Sequence, residues 1–526
     1  MIRVRQIKIN INNNTIDEII YKTASKLKIN KNDISSIEVV KKSIDARDKE
    51  NINYIYEVEI DVKNEKKILD NNKSNDIYLK EDETYNFDIK NKGNMKNRPI
   101  IVGSGPSGLF CAYMLSEYGY KPIIIERGEK VEDRVKTIEK FWKTGKLNKN
   151  SNVQFGEGGA GTFSDGKLNT LVRDKNFRMK KVFEIFVECG APKEILYENK
   201  PHIGTDLLRN VIINMRNKIT AMGGYFRYNT LLTNLVIENN TIKQIEVNND
   251  ELIPCDNLVI AIGHSARDTF KMLHENGLDM MSKPFAVGVR IQHTQEMINK
   301  SQYGSFSKLL PPSDYKLTYT AKDKRGVYSF CMCPGGYVVN ASSEEGNLVI
   351  NGMSNYKRDS KVSNSALIVQ VSNKDFGDNL FDGMQFQIKL EKLAYEEGKG
   401  LIPVQLYKDF KENILSTNFK TVKPEFKGGY NFSNINNILP KFICNDLIEA
   451  IEYFNTKIKG YNNDDVIISG VETRTSSPIR ILRGDNYMSN IKGIYPIGEG
   501  AGYAGGITTS AMDGIRCFEK IICNIK

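Results

Sequence analysis

Alternating apolar and polar positions predict a small α+β module in the first 95 residues. The stretch IRVRQIKI near the N terminus alternates as a half-buried strand does. Residues 15–27 carry apolar side chains at helical spacing, and the stretches ISSIEVV and INYIYEVEIDV predict two further strands. The polar, turn-rich residues 71–97 predict a linker to the next domain.

After residue 96 the pattern changes to that of an α/β protein. An apolar strand, a helix and a second apolar strand follow one another, and residues 206–222 predict an amphipathic helix that ends at Gly223–Gly224. Residues 225–249 predict short antiparallel strands that turn at 238–240. The apolar stretch NLVIAIG (257–263) predicts a buried central strand, and the strand–turn–helix pattern returns after Asp465.

Composition narrows the class of protein. The 526 residues, 40% hydrophobic and 26% charged, suffice for two or three domains with sizeable cores. The net charge is +10, but the first 97 residues hold 19 Lys/Arg against 17 Asp/Glu, which favours a solvated surface over a nucleic-acid face. Eight scattered cysteines and four unclustered histidines indicate neither a disulfide framework nor a metal site. The start lacks the apolar core of a signal peptide and no apolar run reaches about 18 residues, so we expect a cytoplasmic protein with no membrane partner.

The stretch IIVGSGPSG contains the spacing G-x-G-x-x-G of a dinucleotide-binding loop. Gly103 allows the tight turn out of the strand, Gly105 lets a pyrophosphate approach the backbone, and Gly108 lets the helix pack on the sheet. Glu126 ends the second strand 18 residues later, where an acid can accept hydrogen bonds from an adenosine ribose. The alternative is a strand–helix–strand unit with incidental glycines.

Three later features favour FAD over NAD as the dinucleotide. Residues 153–169 form a glycine-rich loop that can lie flat against a bulky cofactor, and Gly263 ends the buried strand. In residues 493–515, Glu499 can bind either the ribityl hydroxyls or the pyrophosphate, and a helix begins near Gly506 with its positive end towards the ring system. These signals lie about 400 positions apart, whereas an NAD domain closes within about 150 residues.

With these residues in place, the chain resembles the glutathione-reductase-type FAD superfamily and, more closely, the uncharacterised bacterial FAD-dependent dehydrogenase family. The resemblance is carried, in order along the chain, by KSIDARDK (42–49), GSGPSGLFCA (103–112), QFGEGGAGTFSDGKL (154–168), IGHSARDTF (262–270), KPFAVGVRIQH (283–293), FCMCPGGYVV (330–339), VETRTSSPIRI (471–481) and GEGAGYAGGI (498–507).

The resemblance implies a Rossmann-like FAD-binding domain that is split by an inserted α+β substrate domain, with a small N-terminal α+β domain in front. We expect the boundaries 1–95 for the N-terminal domain, 96–265 and 466–526 for the two parts of the FAD-binding domain, and 266–465 for the substrate domain. Glu499 stands where the wider superfamily has Asp, and Leu232 stands where relatives hold adenine through a backbone group. The expected FAD contacts are Gly103, Ser104, Gly105, Pro106, Ser107, Gly108, Glu126, Arg127, Gln154, Gly158, Gly159, Ala160, Gly161, Leu232, Gly263, Gly498, Glu499, Gly505, Gly506 and Ile507.

No catalytic residue is identified by a motif, and four residues are weak candidates. Cys331 and Cys333 form either a redox pair beside the flavin or buried structural thiols. His264 is either a proton donor or a structural residue, and Arg474 either holds a substrate carboxylate or forms a buried ion pair.

The sequence therefore predicts an FAD-dependent oxidoreductase that acts on a small-molecule substrate. No second G-x-G-x-x-G unit occurs near residues 250–400, so we expect NAD(P)H or another electron donor to reach the flavin without a domain of its own. Two alternatives stay open: an RNA-modifying or RNA-binding flavoprotein, and a flavin-bound binding module without turnover.

Overall fold

The computed structural model describes residues 1–88 and 93–525. The N-terminal module is an antiparallel sheet with a helix against it, as the apolar pattern predicts. Thr15 caps this helix by accepting a hydrogen bond from the backbone N–H of Glu18. The module consists of β1 (Ile2–Asn10), α1 (Ile16–Leu27), β2 (Ile34–Asp45), β3 (Asn53–Val62), α2 (Glu65–Asn71) and β4 (Ile77–Leu79), and the strand order is β2-β3-β1-β4.

The predicted linker over residues 71–97 is interrupted by a strand, β4, and the residues from 80 to 88 and from 93 to 97 form no helix or strand. Strand β4 pairs with β1 in antiparallel register, and Phe87 packs against Tyr118 and Phe518 at ring-centroid distances of 6.2 and 5.3 Å. A three-residue strand among polar neighbours leaves no periodic signal, because its stability comes from pairing with a distant strand. Residues 89–92 of the predicted linker lie outside the described residues.

A parallel sheet of five strands forms the centre of the next unit, in the order β24-β11-β5-β6-β7. The turn at 238–240 and the helix over 206–222 are confirmed, the helix with bounds one residue earlier. The elements are β5 (Ile100–Val102), α3 (Pro106–Glu117), β6 (Ile123–Ile125), α4 (Val131–Thr144), α5 (Arg178–Glu188), α6 (Thr205–Ala221), β7 (Tyr225–Arg227), β8 (Leu232–Glu238), β9 (Thr241–Val247), β10 (Glu251–Pro254), β11 (Leu258–Ile260) and α7 (Arg267–Glu275).

The rest of the chain adds a second large sheet and the last elements of the parallel sheet. These elements are β12 (Met280–Ser282), β13 (Phe285–Thr294), α8 (Gln295–Tyr303), β14 (Thr318–Thr320), β15 (Gly326–Cys333), β16 (Tyr337–Asn340), β17 (Ile350–Met353), β18 (Val362–Val371), α9 (Asn373–Phe376), α10 (Asp382–Glu397), β19 (Ile402–Leu406), α11 (Tyr407–Glu412), β20 (Phe426–Lys427), β21 (Tyr430–Phe432), α12 (Lys441–Phe454), β22 (Ile467–Glu472), β23 (Ile479–Ile481), β24 (Ile494–Pro496) and α13 (Ile507–Asn524). Short 3₁₀ helices span Ile11–Asn13, Lys31–Asp33, Ala160–Phe163, Lys193–Leu196, Gly304–Lys308 and Ile435–Asn437.

The second sheet, called the inserted sheet below, has the strand order β14-β15-β18-β13-β22-β19-β21. Strand β22 follows the expected boundary at residue 466 yet pairs with β13 and β19 of this sheet, whereas β24 and α13 join the parallel unit. The domain boundaries stay predictions, and residue 526 lies outside the described residues.

The arrangement confirms the predicted fold class, an α/β protein with a Rossmann-like domain that an α+β segment interrupts. Helix α13 crosses α3 so closely that a Cβ atom on Gly514 would lie 2.2 Å from the carbonyl oxygen of Ser107. This contact joins the last helix of the chain to the helix that follows the first parallel strand. None of the helices in residues 1–88 and 93–525 combines the length and the hydropathy needed to span a bilayer.

Candidate functional site

A long cleft opens along the carboxyl edge of the parallel sheet. Its walls come from the residues that follow β5, β6, β11 and β24, from residues 154–167 and from strand β15 of the inserted sheet. The strand order reverses between β5 and β11, and such a reversal leaves a crevice outside the strand ends where ligands bind. Of the expected cofactor contacts, the cleft is lined by Gly103, Gly105, Pro106, Ser107, Glu126, Arg127, Gln154, Gly159, Ala160, Gly161, Leu232, Gly263, Glu499, Gly506 and Ile507.

The other five expected contacts lie behind the cleft wall or beside it. Gly498 packs against the side chain of Ser107, and Gly158 packs against Thr162 and Ile212. Gly505 lines a second cavity. The five are Ser104, Gly108, Gly158, Gly498 and Gly505, and the assignment of individual cofactor contacts stays a prediction.

The three glycines of the first loop occupy different environments. A Cβ atom on Gly103 would lie 2.3 Å from the carbonyl oxygen of Ala261, and one on Gly108 would lie 2.0 Å from the carbonyl oxygen of Gly103. Both positions therefore require glycine for packing. At Gly105 the nearest atom to such a Cβ is the Cα of Gly159 at 3.8 Å, so this backbone faces open space in the cleft. That is the arrangement a pyrophosphate needs.

Glu126 is a buried carboxylate that four donors of the chain hold in place. Its Oε2 accepts hydrogen bonds from the backbone N–H and the hydroxyl of Ser104, at 3.0 and 2.7 Å. Its Oε1 accepts from the N–H groups of Gly128 and Gly156, at 3.0 and 3.1 Å. A ribose hydroxyl can donate to a carboxylate oxygen of Glu126 that already accepts one of these hydrogen bonds. It can also replace the Ser104 hydroxyl, because that hydroxyl can rotate away whereas the three backbone N–H groups cannot.

Arg127, the neighbour of Glu126, is engaged within the protein. Its guanidinium donates two hydrogen bonds to Asp268, at 3.0 and 2.8 Å, and lies 4.2 Å from the ring centroid of Phe155. Leu232 begins β8 at the same end of the cleft. Arg127 thus fixes the wall of this end through a salt bridge and a stacked ring, and its charge is already balanced.

The glycine-rich loop is held by one buried arginine that no sequence motif marks. Arg134 on α4 donates hydrogen bonds of 2.7–3.1 Å to five backbone carbonyl groups, those of Asn152, Val153, Gly156, Glu157 and Gly159. Its guanidinium also lies over the ring of Phe163, 4.9 Å from the centroid. Burial lowers the pKa of Arg134 to about 10, which leaves the group charged at neutral pH.

At the far end of the cleft, Glu499 faces the start of helix α13. Burial raises the pKa of Glu499 to about 7, although the backbone N–H of Gly506 and the ammonium group of Lys283 lie nearby and favour the charged form. Gly506 has a φ of +93°, and no atom lies within 4 Å of the position that a Cβ would take. The helix N terminus therefore presents bare backbone and a positive dipole end to the cleft.

The four weak catalytic candidates all line the cleft. Burial, together with the positive charges of Arg474 and Arg267, lowers the pKa of His264 to about 3, so this imidazole is neutral at physiological pH. Arg474 forms the buried ion pair that was one of its two predicted roles: it and Arg267 both donate to the carboxylate of Glu391. The cluster joins residues that are 83 and 124 positions apart in the chain.

The two cysteines of FCMCPGG also lie in the cleft wall. The thiol of Cys333 donates to the backbone carbonyl of Cys331 at 3.3 Å, and Cys331 has the left-handed φ of +41° where β15 bulges. The Cys333 thiol is buried, whereas the Cys331 side chain is exposed at the cleft wall. Desolvation raises the pKa of both thiols, that of Cys333 to about 11. Both are therefore protonated thiols at neutral pH, which is the unreactive form.

The cleft wall near Cys331 contains one cation that sequence reasoning missed. Lys167, at the end of the glycine-rich segment, donates to the backbone carbonyl of Met332. Its neighbours Arg290 and Arg358 are each paired with a carboxylate, Glu472 and Asp165 respectively. The segment QFGEGGAGTFSDGKL contains Lys167, but only the fold brings it against β15.

Known domain families and a known protein match most of this chain. A domain model described as an NAD(P)-binding Rossmann-like domain matches residues 101–153, and one described as the C-terminal domain of an FAD-dependent protein matches residues 284–475. A domain of unknown function matches residues 1–61. A protein of Clostridium beijerinckii without an assigned function is 46% identical over 528 residues, which is 99% of this chain and 98% of the relative.

Solved structures of flavoproteins are more distantly similar. A triple mutant of the flavin-dependent brominase Bmp2 is 10% identical, with 82% of this chain and 81% of that chain covered and a TM-score of 0.37. The halogenase PltM in complex with phloroglucinol and FAD is 9% identical, with 82% and 69% covered and a TM-score of 0.39. The L-proline dehydrogenase of P. horikoshii is 11% identical, with 82% and 94% covered and a TM-score of 0.33.

Replacing Arg134 tests whether it organises the glycine-rich loop. We expect Arg134→Met to lower the free energy of unfolding by about 2–4 kcal/mol, because the buried carbonyl groups lose their donor. Limited proteolysis should then cut within residues 152–159 well before the wild-type loop is cut. Arg209→Met is the matched control: Arg209 stacks on the same Phe163 ring, 5.1 Å from its centroid, and makes no hydrogen bond to a described residue. An equal loss of stability and equal proteolysis of residues 152–159 in both variants would contradict the proposal that Arg134 organises the glycine-rich loop.

The raised pKa of Glu499 predicts that this residue lowers the stability of the cofactor-free protein in a pH-dependent way. A carboxyl whose pKa rises from 4.5 to about 7 on folding is protonated in both states below pH 4.5, and it destabilises the fold as pH rises through 7. Glu499→Gln should therefore raise the Tm more at pH 8 than at pH 5 in thermal melts of cofactor-free protein. The exposed Glu412→Gln provides the control, and a Glu499→Gln effect that is the same at both pH values would count against the burial of a charged carboxyl.

Proposed function

The chain belongs to the bacterial family of FAD-dependent proteins that the C. beijerinckii relative and the matched domains define, and we propose that it is an FAD-dependent oxidoreductase. In this proposal the protein moves a hydride or electrons between bound FAD and a small substrate. The observation that carries the proposal is a cleft that is lined both by residues near 103 and 126 and by residues near 499 and 506, together with the inserted sheet.

The residues of the cleft fit FAD in order along its length. Open space beside Gly105 and the N terminus of α3 suit the pyrophosphate, and Glu126 lies one strand away for the adenosine ribose. Glu499 lines the cleft, and both of its carboxyl oxygens have acceptor capacity for the ribityl hydroxyls. Gly506, the start of α13 and strand β15 would hold the isoalloxazine.

FAD, when bound, supplies the acceptor or donor for a hydride. The chain contributes orientation and electrostatics. The positive end of α13 favours negative charge next to Gly506, and Arg134 keeps the glycine-rich loop flat against the cleft. At neutral pH, His264 and the thiols of Cys331 and Cys333 are uncharged, so they shape the wall and add no charge to it.

Near strand β15, the arginine side chains at the cleft are paired with carboxylates, whereas Lys167 has no carboxylate within 4.0 Å among the described residues. Arg290 pairs with Glu472, and Arg267 and Arg474 share Glu391 and Glu344. The ammonium group of Lys167 uses one of its three donors on Met332. In the proposed reaction Lys167 orients the substrate through its remaining donors.

The alternative of an RNA-binding flavoprotein draws no support from the N-terminal module. Several of its basic side chains lie in ion pairs, among them Arg3 with Glu59 and Lys26 with Asp76. Lys42 pairs with Glu198 of the neighbouring unit. These pairs reduce the positive charge that this module could offer to a phosphate backbone.

The proposed function is tested by the visible spectrum and by anaerobic photoreduction. We expect the purified protein to absorb at about 450 nm, as oxidised flavins do. This absorbance should disappear on anaerobic illumination with a sacrificial electron donor and return when an oxidant is added. Gly105→Ala should weaken FAD binding at least 10-fold, because the added methyl group occupies the space meant for the pyrophosphate, while the protein itself has room for it.

Gly484→Ala is the matched control, because Gly484 lies on an exposed loop away from the cleft. Its FAD affinity should equal that of the wild type. A colourless protein that cannot be reconstituted, or bound flavin that does not return electrons to any acceptor, would contradict the proposed oxidoreductase. Equal FAD affinity in Gly105→Ala and wild type would contradict the placement of the pyrophosphate.

A further inference from the structure

A second, larger cavity lies beside the cleft. We call it the outer cavity. Its volume is about 1140 Å³, beyond the range of roughly 300–1,000 Å³ that is usual for pockets binding small ligands. It is bounded by the inserted sheet, by residues 169–172 and by the turn before α13, and its walls include Lys283, Phe330, Thr475, Tyr503, Gly505 and Arg516.

The outer cavity meets the cleft at the end where the flavin ring is proposed to lie. Phe330 and Thr475 line both cavities. Gly505 lines the outer cavity and the next residue, Gly506, lines the cleft. No atom lies within 4 Å of a Cβ position on either glycine, so no side chain separates the two spaces there. A planar group bound in the outer cavity can therefore reach the end of the cleft beside α13.

Basic side chains around the outer cavity outnumber the acids that could balance them. Arg325 is neutralised by Asp375 and Asp323, and the one acidic lining residue, Asp513, is paired with Arg483. Within residues 1–88 and 93–525 no carboxylate lies within 4.0 Å of the remaining four, which are Lys283, Lys316, Lys324 and Arg516. The carboxyl of Glu499 faces Lys283 from the cleft side at a longer distance.

Charge and size together define the class of ligand. Four unbalanced positive charges suit a ligand with several negative groups, since a single carboxylate would leave most of them without a counter-charge. Tyr328 and Phe330 offer aromatic rings to planar groups in the same space, whereas the ring of Tyr503 is already stacked by Arg480 and Arg483, at 5.2 and 3.8 Å from its centroid. A dinucleotide combines phosphate groups with two planar rings and needs a cavity of this size.

We propose that the outer cavity binds a reduced nicotinamide dinucleotide, which brings its nicotinamide to the flavin where Phe330 and Thr475 join the two cavities. This inference rests on the proposed function, because it names the electron donor of that site. The C4–H bond of the dihydronicotinamide breaks, and the hydrogen moves with its electron pair to N5 of the flavin. The nicotinamide is oxidised and the flavin reduced, and a proton from water completes the reduced flavin.

Binding of NADP⁺ and of NADPH to the FAD-loaded protein tests the proposal. We expect calorimetry with NADP⁺, which transfers no hydride, to show one site whose affinity falls as salt concentration rises. The double variant Lys316→Gln/Lys324→Gln should weaken this binding at least 10-fold, since both lysines are exposed at the outer cavity and neither lines the cleft. NADPH should bleach the wild-type flavin anaerobically and bleach that of the variant at correspondingly higher concentration.

Lys389→Gln/Lys392→Gln is the matched control, because both lysines are exposed on α10 outside the cavity. Its affinity for NADP⁺ should equal that of the wild type. Absence of NADP⁺ binding, or equal weakening in both double variants, would overturn the inference. Photoreduction distinguishes this outcome from failure of the proposed function. If the flavin is photoreduced and reoxidised in a protein that binds no dinucleotide, the oxidoreductase proposal is supported and only the proposed electron donor is wrong.

Discussion

The register of four parallel strands determines where the site forms. Val102, Ile125, Ile260 and Pro496 stand side by side in the sheet, because β11 pairs with both β5 and β24 and β5 pairs with β6. The loops that leave these strands therefore start at one level and share one edge. Gly103, Glu126, Gly263 and Glu499 follow the strands at that edge, although the chain separates the first from the last by about 400 positions.

Around this edge the buried arginines lie in balanced groups. Glu391 lies between Arg267 and Arg474, Glu472 meets Arg290, and the Arg134 guanidinium is surrounded by carbonyl dipoles in place of a carboxylate. A buried charge is tolerated only with such partners, and these clusters hold the inserted sheet and the glycine-rich loop against the parallel unit. The outer cavity differs, because its unbalanced cations are partly or fully exposed and remain available to a ligand.

The local features of the site could be predicted from the sequence, and the long-range ones could not. The glycine spacing at 103–108, the acid at 126 and the turn before α13 each depend on neighbouring residues, and each lies in a segment whose type the apolar pattern indicates. Arg134 was missed because "VEDRVKTI" resembles the polar face of any surface helix, and its carbonyl partners follow about 20 residues later. Strand β4 and the placement of β22 in the inserted sheet depend on pairing with distant strands, which carries no local signal.

The most direct test of this account is an experimental structure of the purified protein with its cofactor. The account predicts one FAD that extends along the whole cleft, with its adenosine ribose at Glu126, its pyrophosphate beside Gly105 and its isoalloxazine between Gly506 and β15. A cofactor bound elsewhere, or one that contacts the first glycine loop while Glu499 and Gly506 face away from it, would contradict the claim that the two distant segments form a single site.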